Sequence, residues 1–236
     1  FAQGRWPVRL LILLAVCLFA LLCSPGYARA HTSQGQDTPD VIDRYDELTR
    51  DPDLCGADFR IKGTDLCTHG PDLAVPQAVQ TAPPPIICDG DGVSGKRVQV
   101  MYVRTAVTVD RFALNLDYFR SIAAQVNHAF DESARETGGR RQVRFVTDAA
   151  CQIDVLNVVI PPVAELTFQS LIMTLRLLGY NSPDRKYLMF VDANVYCGIA
   201  TVLNDSRPDA DNRSNHVAGF ARVDSGCWDA STATHE

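Results

Sequence analysis

A chain of 236 residues that is 46% hydrophobic and 21% charged carries enough apolar material for one sizeable core. Its formal net charge of −6 excludes the basic face that nucleic-acid phosphates require. The charge balance fits an exported soluble protein and leaves the substrate open.

Residues 1–30 read as a secretory signal peptide: Arg5 and Arg9 precede the apolar run Leu10 to Leu22, and Ala28-Arg29-Ala30 is a small-x-small cleavage site. The run is shorter than the roughly 20 residues a bilayer span needs. The bulky Leu22 before Cys23 argues against a lipoprotein signal. Removal of this segment takes three arginines and no acid, moving the formal charge to −9. The mature chain is therefore expected to be secreted, with no stable membrane association after cleavage.

Residues 31–87 are polar and proline-broken, ending in Thr81-Ala82-Pro83-Pro84-Pro85, an extended linker by composition. They read as a propeptide or spacer with one short helical possibility, Val41 to Leu48. His69, in Cys67-Thr68-His69-Gly70-Pro71, reads as a turn residue. Six cysteines remain after the signal: Cys55, Cys67, Cys88, Cys151, Cys197 and Cys227. An even set in an oxidising compartment implies three disulfides, and loop logic among the fifteen possible connectivities favours neighbours. A leader cysteine held on a metal to silence a precursor is the competing idea.

From Cys88 the pattern becomes regular. Val98 to Arg104 reads as a buried strand. Phe112, Leu116, Phe119, Ile122, Ala123, Val126, Phe130 and Ala134 form the stripe of a helix about 40 Å long, started by Asp110 and ended by Gly138-Gly139. Gln142 to Val146 and Ile153 to Ile160 read as strands. Pro161-Pro162 opens a second helix closed by Gly179, with Phe168, Leu171, Ile172, Leu175 and Leu178 buried. Tyr187 to Val191 is a central strand covered on both faces, and Gly219 to Val223 is a short one. Strands alternating with amphipathic helices predict an α/β fold with a mostly parallel twisted sheet, a long helix and a second covering helix.

Several motifs compete for function. Asp89-Gly90-Asp91-Gly92 suggests calcium but lacks the following bidentate glutamate, so a glycine-rich turn is the better reading. Val223-Asp224-Ser225-Gly226 matches one loop of an aspartic peptidase, without the second copy such an enzyme needs. His128 falls on the long helix beside Asn127, and His216 in a polar loop. Asp229 to Thr234 opens a last helix that carries His235 and Glu236. In H-E-x-x-H on a helix, the first histidine binds zinc and the glutamate serves as general base.

Cys88-Asp89-Gly90-Asp91-Gly92, Gly95-Lys96-Arg97-Val98-Gln99-Val100, Glu136-Thr137-Gly138-Gly139, Asp184-Arg185-Lys186-Tyr187, Tyr196-Cys197-Gly198 and Asp224-Ser225-Gly226-Cys227-Trp228 resemble a group of exported actinobacterial proteins. Members of that group continue into A-H-E-x-x-H-N-L-G and are similar to reprolysin-type zinc metallopeptidases of the metzincin class. The resemblance implies a metzincin-like N-terminal subdomain over residues 88–236, a Zn2+ cofactor, His235 as first zinc ligand and Glu236 as catalytic base. It also implies a peptide or protein substrate, with the other ligands and the methionine turn beyond Glu236. On this expectation the chain is the amino-terminal part of a secreted zinc metalloendopeptidase, inactive by itself. The alternative is a non-catalytic secreted, disulfide-braced binding module with the same fold.

Overall fold

The computed structural model describes residues 45–72, 86, 88–205 and 207–236. The signal segment, residues 41–44 of the proposed leader helix and the proline linker lie outside the described residues. Among the described residues no helix is long and apolar enough to cross a membrane.

Five strands form the main sheet: β4 (Arg97–Thr105), β5 (Val155–Ile160), β6 (Arg185–Val191), β7 (Gly198–Ala200) and β8 (Gly219–Asp224), in the order β5-β4-β6-β8-β7. All neighbours are parallel except β7, which runs antiparallel along β8 as an edge. Alternation along β4 and β6 explains why both strands read as unbroken apolar runs. Val100, Tyr102, Leu188 and Phe190 face one core with Phe119, Ile122 and Val126 of helix α2 (Phe112–Glu136). Met101, Val103, Met189 and Val191 face the other with Phe168, Leu171 and Leu175 of helix α3 (Phe168–Leu177).

The ends of α2 follow the sequence. Asp110 Oδ1 accepts from the Phe112 amide at 2.8 Å, and the Gly139 amide donates to Ala134 O at 2.9 Å behind Gly138, whose φ is +77°. The second helix differs from expectation. Pro162–Glu165 makes only a 3-10 turn, and α3 begins afresh behind Thr167, whose side chain accepts from the Ser170 amide at 3.0 Å.

Two expected elements are corrected. Gln142 to Val146 is no continuous strand: it meets β4 only where Val98 N donates to Arg144 O at 2.8 Å and Val146 N to Val98 O at 2.9 Å, and its approach to that point is held by side chains of α2. Asn127 accepts from Val143 N at 2.8 Å and Asp131 from Arg141 N at 3.3 Å, leaving a single bridge from Phe145 to Val98. Leu48, placed at the end of a leader helix, instead opens a strand.

That strand belongs to a small antiparallel sheet, β1 (Leu48–Arg50), β2 (Phe59–Ile61) and β3 (Cys67–Thr68), with the one-turn helix α1 (Pro52–Cys55) between the first two. Its Leu48, Phe59, Ile61 and Leu66 are buried in the same core as α3. Residues 45–72 therefore contribute to the packed interior. The disulfides are Cys55–Cys67, Cys88–Cys151 and Cys197–Cys227, the neighbour pairing expected. With Cys55 and Cys67 bonded to each other, neither leader cysteine is available as a metal ligand.

Candidate metal centre

Helix α4 (Ala230–His235) is short and depends on its cap. Asp229 Oδ1 accepts from the Thr232 amide at 2.9 Å and Oδ2 from the Thr232 hydroxyl at 3.1 Å. The Cys197–Cys227 bridge ties the start of β7 to the 3-10 turn Ser225–Cys227 just upstream. Gly198, next to that bridge, makes room for the site. A Cβ there would overlap the Glu236 carboxylate and come within 2.9 Å of Thr232 Cγ2.

The other half of the site comes from the chain that follows β3. Cys67 O accepts from the Val202 amide and the Asp72 amide donates to Gly198 O, both at 2.7 Å, so residues 67–72 run antiparallel beside β7. Gly70 turns between these contacts with φ +98°, a conformation in which a Cβ is strained. Cys67–Asp72 thereby brings His69 and Asp72 against the end of α4. His235 Nε2 stands 3.4 Å from Asp72 Oδ1, and the His69 and His235 ring centroids are 5.2 Å apart. One ligand atom from each of His69, Asp72 and His235 lies within 4.8 Å of the other two.

Glu236 lies beneath this cluster with its side chain fully buried. Its Oε2 is 3.4 Å from His69 Nε2. That approach is an ion-pair distance without hydrogen-bond alignment. His69 Nε2 and both Glu236 carboxylate oxygens are thus buried with no hydrogen-bond partner among the described residues. On its other side Glu236 helps wall an apolar cavity of about 210 Å³ lined by Val126, Phe145, Leu188 and Ala233. Burial pushes the Glu236 carboxyl up to about 7, with His69 pulling the other way. The polar contact with Glu236 raises the His69 imidazole above its usual range, against its own burial.

This donor set fits a divalent transition metal. Two imidazoles and a carboxylate suit zinc and its neighbours better than the all-oxygen shells of calcium or magnesium. A tetrahedral zinc with bonds near 2.0–2.1 Å separates its ligands by about 3.4 Å. The His235–Asp72 pair already stands at that spacing, and all three ligand atoms lie within 4.8 Å of one another.

Other candidates take structural parts. His216 lies in the 3-10 turn Arg213–His216, 3.2 Å from Ala210 O, and His128 pairs loosely with Glu132 on α2. Asp91 folds back on the Val93 and Ser94 amides at 2.9 and 2.7 Å, making the Asp89–Gly92 stretch a self-satisfied turn. Asp224 is saturated by Arg222 and two amides. His69 and Asp72 escaped the sequence reading, since their approach to His235 is purely tertiary. The available signal was a histidine and an aspartate three residues apart beside a bridged cysteine.

The residues thus build a disulfide-braced α/β domain with a His/Asp/His cluster able to coordinate a divalent ion. No protein-family model, curated protein or solved structure matches the chain.

Proposed function

We propose that this is a disulfide-braced binding domain whose His69, Asp72 and His235 hold Zn2+. The observation that carries the reading is the convergence of three ligand atoms within 4.8 Å from opposite ends of the described chain, over buried polar atoms that lack hydrogen-bond partners. Buried polar groups are otherwise nearly always paired, so the unpaired atoms of His69 and Glu236 at one point support a ligand site there. Equilibrium dialysis followed by metal analysis tests it. One zinc per chain, abolished by His235→Ala and weakened by His69→Ala and by Asp72→Asn, is the expected result. Unchanged zinc content in His235→Ala would sink the reading.

Glu236 favours a second reading, peptide hydrolysis. A carboxylate poised near neutral pH, following a metal-ligand histidine on the same helix, has the placement of a general base. Bound zinc would supply polarisation of a substrate carbonyl and of the attacking water. Glu236 would accept the proton from that water and return it to the leaving amine, while the apolar wall beside it excludes bulk solvent. Glu236→Gln should keep zinc and lose chelator-sensitive cleavage of an unstructured peptide. Equal cleavage by both forms, or none by either, leaves the domain as a binding module.

A further inference from the structure

We infer that the start of the main sheet holds a small anionic amphiphile: its carboxylate or phosphate head lies against Lys96, Arg97, Arg144 and Lys186, and its apolar chain in the cavity beside α2. None of these four cations belongs to the His69, Asp72 and His235 cluster, so the site stands or falls independently of zinc.

Strands β4 and β6 begin side by side, with Arg97 opposite Arg185 and Val98 opposite Lys186. Parallel pairing therefore gathers at one end of the sheet the basic residues that open each strand. Lys96, Arg97, Arg144 and Lys186 line a hollow of about 260 Å³ there, and Asp184 is the one acid in its wall. Such a gathering of positive charge stands out in a chain of formal net charge −6. Arg144 is paired with the Asp89 carboxylate at the surface. Two of the others are held differently. Arg97, only 4% exposed, gives its guanidinium to three main-chain carbonyls, those of Ser94, Phe145 and Asp89. Lys186 Nζ donates to the carbonyls of Ser214 and Val217. Carbonyls satisfy hydrogen bonds without cancelling charge, and among the described residues neither cation has a carboxylate partner. Cations fixed against low-dielectric walls project a positive potential into the hollow. Burial, reinforced by Lys96, holds the Lys186 ammonium below its usual range, and a bound anion would favour its charged form again.

Val98 and Lys186 also line the apolar cavity of about 210 Å³, so the two hollows adjoin at these residues. Residues 142–145 border both by alternation, Gln142 and Arg144 on the basic side, Val143 and Phe145 on the apolar side. Past Lys186 the cavity is walled by Phe130, Leu188 and Phe220. An apolar cavity stays dry and accepts an apolar guest. The two volumes together suit a small ligand, whose pockets span roughly 300–1,000 Å³. A bare oxyanion would leave the apolar part unfilled, and a neutral chain would leave Arg97 and Lys186 uncompensated. A molecule with both ends satisfies both.

Isothermal titration calorimetry of the full chain, with chelator present and every probe below its micelle-forming concentration, tests the site. The probes are octanoate, octyl phosphate, octanol and inorganic phosphate. We expect one site per chain for octanoate and octyl phosphate, the tighter of the two identifying the head, and at least tenfold weaker binding of octanol and inorganic phosphate. Lys96→Glu reverses an exposed charge at the head and should weaken both amphiphiles at least fivefold. Ala221→Phe fills the apolar cavity and should weaken them at least tenfold. Thermal unfolding confirms that each variant folds, and Lys186→Met serves as the second head variant. Octanol bound as tightly as octanoate reduces the site to an apolar cavity and overturns the inference. Inorganic phosphate bound as tightly as octyl phosphate reduces it to a bare anion site and overturns it equally. No saturable binding of either amphiphile, or unchanged affinity in the folded variants, also overturns it.

Discussion

Two fully buried carboxylates lie within one domain and live in opposite surroundings. Asp224, at the end of β8, accepts from Arg222 Nε at 2.6 Å and Nη2 at 3.0 Å, and from the Val195 and Tyr196 amides at 2.7 and 2.9 Å. Arg222 is itself wholly buried, its guanidinium stacked on Tyr196 at 4.6 Å. Glu236 has the same lack of exposure and no hydrogen bond to either oxygen. A saturated buried acid organises a fold, whereas an unsaturated one stores unfavourable free energy that a ligand, a proton or a metal can relieve.

Breaking the saturated side should have the largest effect. Asp224→Ala leaves the Arg222 charge buried without its partner, and about 3–5 kcal/mol of stability should be lost in urea unfolding. A loss below 1 kcal/mol would mean that the pair is not sealed from water.

The unsaturated side should show itself through pH. The Glu236 carboxyl ionises near 4.5 when unfolded and near 7 in the fold, so its neutral form is the one the fold favours. Its contribution is complete below about 4.5 and is lost as pH rises through 7. The raised His69 imidazole acts in the same direction. With chelator present, the chain should be about 3 kcal/mol less stable at pH 9 than at pH 5 from this carboxyl. Glu236→Gln should flatten the profile, and a wild-type profile equally flat would show that the carboxyl is well solvated.

The smallest effect sharpens the contrast at a glycine. Gly198→Ala puts a Cβ into the space of the Glu236 carboxylate, and overpacking of this kind costs about 1–3 kcal/mol. Crystallography of the variant should find Glu236 displaced towards His69. An unmoved carboxylate would contradict the tight seat described here.

The same contrast explains what was legible in the sequence. Periodicity located α2 and the strands β4, β6 and β8, because each repeats one signal over many residues: Phe119, Ile122 and Val126 at helical spacing, and Tyr187 to Val191 as a doubly covered strand. Neighbour pairing of the cysteines followed from loop length. His235 and Glu236 stood out through motif chemistry. The small sheet did not, since Leu48–Arg50, Phe59–Ile61 and Cys67–Thr68 are too short to establish an alternation, and β7 is shorter than any reliable strand signal. Their stability comes from sharing the α3 core and from the Cys55–Cys67 bridge. His69 and Asp72 reached the site through that same small sheet, so what hid the sheet also hid two of the three residues of the candidate metal cluster.

The border of the main sheet adds a consequence. With Cys67–Asp72 in place, the Val202 amide and the Gly198 carbonyl are both hydrogen-bonded within their own chain. Lifting that segment leaves a donor and an acceptor spaced for an antiparallel neighbour, the arrangement by which exposed sheet edges template aggregation. A variant in which Cys67–Asp72 is detached should therefore self-associate as its concentration rises.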